Sequence, residues 1–323
     1  MFLRDLEHGQ DLDLVLLVRA VESRRRGDGR PFLRLSLGDR SGAVAAVVHD
    51  GVEDAEPLCR PGAPLRVAGR YERDARYGPQ IVVSEVAPPA PGSFDLTDLV
   101  ESSPHDVEQM EHDLRQLVST VRHPHLRALL DRVLGEHTET WRRFRGAPAA
   151  KHYHQAYAHG LLEHSLSVAL GVHALAASFP GIDHDVAVTG ALLHDVGKLE
   201  AYTAGPGHID MTDAGRLLGE IPLGYYRIRR EIEDMPGFPP ETAQAVLHII
   251  LSHHGALEHG SPVVPCTREA TLVHHIDNLG GRLGSFDRLE KSLARGQSWT
   301  GFDRGIGGSA YFGPAGEDER RAA

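Results

Sequence analysis

The hexapeptide Ala87-Pro88-Pro89-Ala90-Pro91-Gly92 divides the chain into two stretches with different hydrophobic periods, which no single layer of secondary structure can satisfy. Its prolines cannot donate to a sheet ladder and favour an extended connector, so a domain boundary is predicted here. On the N-terminal side, short β-rich runs recur: Leu12 to Ala20, Pro31 to Leu37, Ala43 to His49, Pro64 to Tyr71 and Gln80 to Val86. Gly38-Asp39-Arg40-Ser41-Gly42 is a tight turn between the second and third runs, and Gly51 to Leu58 leaves room for one helical turn. Five strands with one such interruption predict a small β-barrel over residues 1–90.

Beyond the prolines the period changes to that of a helix. Ser103-Pro104 resembles an N-cap followed by proline at the first helical position, and Val107, Met110, Leu114, Leu117, Val118 and Val121 follow at helical spacing. Further helices are predicted at Pro124 to Leu134, Gly160 to Ala177, Asp183 to Val196, Ala214 to Glu233, Glu241 to Ser252 and Glu269 to Leu283. The fold class is therefore multidomain α and β, a five-stranded barrel followed by an all-α domain. Residues 91–150 supply a linker and connecting helices, 151–297 the main helical domain, and 298–323, glycine-rich and then charged, a flexible tail. Apolar stripes between Asp95 and Phe144 exceed what a connector needs, which makes a homo-oligomer an expectation.

Composition narrows the chemistry. Two cysteines, Cys59 and Cys266, are too few for a disulfide framework or a cysteine zinc site, and they suit a reducing compartment. MFLRDLEHGQ lacks the order of a signal peptide, and the apolar stretch from Leu14 to Val18 is too short to span a bilayer, so a cytoplasmic location without membrane contact is expected. A net charge of -11 argues against a surface that traps nucleic acid everywhere, so any such contact must be local. Of the 21 histidines, 14 lie between Lys151 and Gly281, where neutral imidazoles can serve as metal ligands.

Within that segment His194-Asp195 occurs in ALLHDVGK, with Gly197 placed to end a helix. Adjacent helical residues diverge by about 100°, so an ion shared by the pair must lie between helices and draw its other ligands from them. His164 in LLEHSLSVA, His253-His254 in ILSHHG and Asp277 in HHIDNLGG are the candidates. A His-Asp dipeptide alone would more often be an ordinary helix-end pair, but the ordered set points to a metal site. Imidazole with carboxylate suits manganese, iron or zinc, and a carboxylate can bridge two ions. His254 is either a ligand or an outer hydrogen-bond donor, while His248, His274 and His275 are assigned to packing or hydrogen bonding. These residues alone indicate a metal-dependent hydrolase with an attached barrel.

The order His, His-Asp, His-His, Asp matches the HD superfamily of metal-dependent phosphohydrolases. The strings HGLLEHSLSVA, GALLHDVGKLEAY, GRLLGEIPLG and ILSHHGALEHGSPVVPCTREATLVHHIDNLGG, behind a barrel, resemble the YhaM-type 3'-5' exoribonuclease family from about Leu14 to Arg282. The resemblance implies an OB-fold that handles single strands and an HD domain that shortens RNA, and also single-stranded DNA, from the 3' end to nucleoside 5'-monophosphates. It further implies one or two divalent ions, manganese foremost with iron, magnesium and zinc as alternatives. Asp195 would be the catalytic bridge, Lys198 would meet a substrate phosphate, and His154 would assist the leaving group or place the terminal nucleotide. Glu220 stands where the family has a histidine suited to a second ion; it serves as an oxygen donor there or as a solvated residue at a helix end. In the barrel, Arg24, Arg25, Arg26 and Arg30 in the first inter-strand loop, with Phe32, Tyr71 and Tyr77 as stacking faces, are the candidate strand-binding residues. Two alternatives stay open: an HD-type nucleotide or cyclic-nucleotide phosphohydrolase, and a catalytically silent RNA-binding adaptor.

Overall fold

The computed structural model describes residues 1–74, 78–100, 102–150, 155–203, 209–293 and 296–313, which form two compact units. The first comprises Met1–Pro104 with Thr203–Asp210, and the second the other described residues.

In the first unit β1 (Asp11–Arg25), β2 (Pro31–Asp39) and β3 (Gly42–Val48) form an antiparallel meander, followed by one helical turn, α1 (Val52–Ala55). Then come β4 (Pro64–Asp74) and β5 (Gly78–Ala87), and the sheet closes in the order β1-β2-β3-β5-β4. Only the β3–β5 pair is parallel, and this closed five-stranded arrangement is an OB-fold. Alternation fills the barrel: Leu33, Leu35 and Leu37 of β2 meet Val44, Ala46 and Val48 of β3, with Leu65, Val67 and Tyr71 from β4 and Ile81 and Val83 from β5. Strand β1 runs past the expected Ala20 because its hairpin pairing continues to Arg25 opposite Pro31, so Arg24 and Arg25 are strand residues and not loop residues. A short helix, α2 (Leu96–Leu99), is capped by the Asp95 carboxylate, which accepts from the Thr97 N–H at 2.9 Å, and it buries Leu99 beside β1 and β2. The first unit thus runs beyond the prolines to Pro104.

The second unit is helical: α3 (Val107–Thr120), α4 (Pro124–Leu134), α5 (Glu139–Gly146), α6 (Gly160–Ala176), α7 (His184–Leu193), α8 (Lys198–Ala201), α9 (Asp213–Leu218), α10 (Glu220–Glu233), α11 (Pro240–Ser252) and α12 (Arg268–Ser292). Helix α3 starts later than Ser103-Pro104 suggests, since Asp106 is its cap and accepts from the Gln109 N–H at 2.8 Å. The helix expected over Ala214 to Glu233 breaks at Gly219, whose φ of +81° no ordinary side chain adopts cheaply. The apolar stripes of α3, α4 and α5 are consumed within the chain: Leu114, Leu117, Leu126, Leu130, Trp141 and Phe144 join the same core as α6 and α7. That removes the basis on which self-association was expected.

Of the tail expected over 298–323, residues 314–323 lie outside the described residues, and residues 298–313 are not loose. Trp299 bridges Tyr311, Asp303 bridges Gly308, Arg288 donates to Asp303 at 2.7 Å, and Ala310 is buried. Helices α6 and α7 are apolar on nearly every side, the pattern of helices enclosed by others, and these two carry His164 and lead into His194. No helix among the described residues is long and apolar enough to cross a membrane.

Candidate metal centre

Four helices deliver the candidate ligands to one place. His164 comes from the second turn of α6, His194 and Asp195 from the C-terminal end of α7, His253 and His254 from the end of α11, and Asp277 from the middle of α12. Both α7 and α11 aim their C-termini inward, and the partial negative charge of those ends favours a cation. The two ends are built alike. His194 Nδ1 lies 2.7 Å from the Ala191 carbonyl and His253 Nδ1 lies 2.8 Å from that of Ile250, so each Nδ1–H donates outward and each Nε2 turns its lone pair inward.

The inward atoms crowd together. His164 Nε2 lies 3.2 Å from His194 Nε2, 3.2 Å from Asp195 Oδ2 and 3.1 Å from Asp277 Oδ1, while His194 Nε2 lies 3.2 Å from Asp195 Oδ2. Ligands about 2.1 Å from an ion and at right angles around it would stand about 3.0 Å apart, which is the spacing seen. On the other side of the same carboxylate, Asp195 Oδ1 and His253 Nε2 face each other at 3.5 Å. Both atoms are buried without a hydrogen-bond partner. Buried polar atoms left in this way are costly, and a divalent ion would satisfy them, so the donor set fits a metal.

Glu220, His253 and His254 form an adjoining group, with His254 Nε2 3.3 Å from Glu220 Oε1. Glu220 is not a solvated helix end. It is the first residue of α10, where the positive end of the helix favours a carboxylate. Its position depends on Gly197, whose φ of -67° is ordinary and which does not terminate α7 as expected. A Cβ on Gly197 would meet the Glu220 carbonyl oxygen at 2.0 Å and the Gly224 nitrogen at 2.4 Å, so the glycine is there for close approach.

Charge follows the geometry. Burial would raise the carboxyl of Asp195, but His194 and Lys198 hold it well below the usual range, and Asp277 is likewise depressed by His164 and His194 against its burial. Burial lowers His164, yet hydrogen bonds with Asp195 and Asp277 outweigh that and push it up to about 9. Burial also works against the Lys198 ammonium, which Asp195 and Glu220 nevertheless raise; its Nζ donates to Asp195 Oδ2 at 2.7 Å. Burial works against Glu220 too, but Lys198 and His254 keep it ionised.

All seven sequence-derived ligand candidates therefore meet, while His154 and Tyr77 lie outside the described residues. His248 and His274 act as hydrogen-bonding residues: His248 Nε2 accepts from the Cys266 N–H at 2.8 Å, and His274 Nδ1 donates to the His253 carbonyl at 2.7 Å. Sequence reasoning missed Glu163. Buried beside His164, it accepts from the Tyr157 hydroxyl at 2.9 Å and from Gln155 Nε2 at 3.0 Å. A charged residue inside the apolar run LLEHSL was the available signal.

In the barrel, Arg24, Arg25 and Arg30 are exposed and Arg26 is half-buried. Arg24 pairs with Glu22 at 2.5 Å, Arg25 donates to the Gly29 carbonyl at 3.1 Å, and Arg26 closes the turn by bonding Arg30. Phe32 sits opposite Arg24 and half-exposed, 6.0 Å from the His49 ring. Tyr71 does not join them, since it is packed in the barrel core at 8% exposure and has no face to offer a base.

Residues 161–281 match the family model described as the HD domain. The second unit carries an HD domain. Over 292 residues the chain is 28% identical to the 3'-5' exoribonuclease YhaM of Geobacillus sp. (strain WCH70), covering 90% of this chain and 88% of that protein. It is equally similar to the 3'-5' exoribonuclease YhaM of Bacillus subtilis (strain 168), with 90% and 91% covered. This similarity bears out the resemblance drawn from the motif strings. Among solved structures, the second OB-fold domain of replication protein A from Methanococcus maripaludis matches at a TM-score of 0.23 and 19% identity, covering 29% of this chain and 96% of that one. The SSB domain of a Synechococcus sp. protein matches at a TM-score of 0.22 and 14% identity, covering 25% and 96%.

Proposed function

We propose that this chain is a metal-dependent 3'-5' exoribonuclease that hydrolyses single-stranded RNA, and single-stranded DNA as a further substrate, to nucleoside 5'-monophosphates. The supporting observation is the convergence of His164, His194, Asp195, His253 and Asp277 inside an HD domain, on a chain similar over 90% of its length to proteins named for that activity. His164, His194, Asp195 and Asp277 would hold one divalent ion, manganese foremost, and Asp195, Glu220, His253 and His254 a second. When bound, such ions supply Lewis-acid stabilisation of phosphoryl charge and lower the pKa of water toward neutrality.

The chain's own residues do the rest. The backbone carbonyls of Ala191 and Ile250 fix the tautomers of His194 and His253, and Lys198 anchors Asp195 while keeping further N–H donors for a phosphate oxygen. Arg24, Arg25, Arg26 and Arg30 with Phe32 supply cationic and stacking contacts for the strand. In the cytoplasm, its proposed location, the free thiols of Cys59 and Cys266 stay reduced.

The test is a time course with manganese on 5'-labelled single-stranded RNA, beside the same RNA blocked at its 3' end. A descending ladder that vanishes with the block is expected, and Asp195→Ala should lose hydrolysis while still binding the strand. Intact RNA together with hydrolysis of mononucleotides or cyclic nucleotides would replace the proposal with a nucleotide phosphohydrolase. Bound ions with no hydrolysis of either would replace it with a binding adaptor.

A further inference from the structure

The donor cluster has two halves of unlike chemistry that share one carboxylate. On the Oδ2 side of Asp195 stand His164, His194 and Asp277, three donors within 3.2 Å of one another or of that oxygen. On the Oδ1 side stand His253 at 3.5 Å and, beyond it, the His254–Glu220 pair. The second half is looser, and the side chains of His254 and Glu220 are 30% and 19% exposed, against 3% for His164.

The charge count disfavours two ions resting there without a companion anion. Asp195, Asp277 and Glu220 contribute three carboxylates and Lys198 one ammonium, while the histidines are neutral as ligands. One divalent ion cancels the two negative charges left over. A second would leave a largely buried centre with two uncompensated positive charges, which a low-dielectric site disfavours strongly unless an anion arrives with it. A phosphate ester supplies that anion. Asp195 Oδ1 and His253 Nε2, both buried and unpartnered, mark where the second ion would sit.

Resting on the metal-centre reading above, we infer that the half-site of Asp195 Oδ1, Glu220, His253 and His254 takes its divalent ion together with the substrate phosphate, whereas the half-site of His164, His194 and Asp277 is filled beforehand. Lys198 sets this order, because its ammonium occupies the charge allowance that a second resident ion would otherwise use.

The test titrates Mn2+ into chelator-stripped full-length protein by calorimetry, with and without adenosine 5'-monophosphate, and follows the Mn2+ paramagnetic resonance spectrum. One ion per chain is expected without the nucleotide. With it, a second ion should bind about tenfold tighter or more, with the nucleotide gaining the same factor from the ion, and a spin-coupled signal should appear. Lys198→Met should admit the second ion without nucleotide, while Glu220→Gln should keep the first ion and lose the nucleotide-dependent second. Two ions binding equally well with and without nucleotide, or a Lys198→Met protein that still requires nucleotide for the second, would overturn the inference. Nucleotide-coupled loading in a protein that leaves RNA intact would uphold it and remove the exoribonuclease proposal; 3'-end degradation with both ions already resident would do the reverse.

Discussion

Gly197→Ala is the sharpest probe of how this centre is assembled. The added Cβ would lie 2.0 Å from the Glu220 carbonyl oxygen, 2.4 Å from the Gly224 nitrogen and 2.8 Å from the Gly224 Cα. Backbone atoms surround it, so no flexible side chain can swing aside. Restoring ordinary contact at 3.4 Å would require the start of α10 to retreat by about 1.4 Å in a tightly packed interior. Overpacking of this kind costs about 3 kcal/mol, the upper part of the usual range, because backbone must give way. For a helical domain of this size that is a drop of about 6–12 °C in melting temperature. Glu220 moves with the helix start, so ion loading in the half-site of Glu220 and His254 should fall as well.

Thermal unfolding, and Mn2+ content in the presence of adenosine 5'-monophosphate, measured on the same preparation read both effects, and Gly280→Ala is the matched control. Gly280 lies on an exposed face of α12, and its Cβ would meet nothing within 4 Å. There alanine should be neutral or stabilising by up to about 1 kcal/mol, through helix propensity alone. If Gly197→Ala melted within about 2 °C of Gly280→Ala and kept its nucleotide-dependent second ion, the close approach would not be what positions Glu220.

Other expectations follow from the same geometry. Asp277→Asn removes one carboxylate next to His164 and should cut Mn2+ affinity by about 10–100-fold in a calorimetric titration while leaving the far-UV spectrum unchanged. In chelator-treated protein His164 binds its proton more tightly folded than unfolded, about 9 against the ordinary 6.5, so its contribution is complete below pH 6.5 and lost as pH rises through 9. That amounts to at most about 3 kcal/mol in urea unfolding at pH 6 against pH 9.5; a loss of equal size in metal-saturated protein would show that the His164–carboxylate cluster is not where the ion binds. Tyr71→Ala should destabilise the barrel by about 3–5 kcal/mol through the cavity it leaves, whereas Phe32→Ala should weaken single-strand binding by about 1–3 kcal/mol with little change in melting. Fluorescence anisotropy with labelled RNA separates the two, and equal losses of binding and stability in both variants would refute the assignment of faces.

The contrast between Tyr71 and Phe32 shows which parts of the fold were open to inspection in the chain. Tyr71 has the same parity as Leu65 and Val67, so strict alternation already placed it inside the barrel, and Phe32 has the opposite parity to Leu33, Leu35 and Leu37. Aromatic character does not make a stacking face where strand parity turns the ring inward. Arg24 and Arg25 differ in kind: the apolar alternation fades by Val21, and the strand continues only because β2 lies alongside, a partner no local window contains. The candidates His164, His194-Asp195 and His253 were legible because each interrupts or ends an apolar helix, where a polar side chain needs a reason, whereas Asp277 lies in the more polar α12 and stands out only as the last member of the ordered set. Glu220 was not legible in that way. Whether it joins the centre turns on the break at Gly219 and on the contact of Gly197 with the start of α10, so its role is decided by two helices meeting in space. Those two glycines are where the second half-site is built, and disturbing them should alter metal loading before it alters the fold of the barrel.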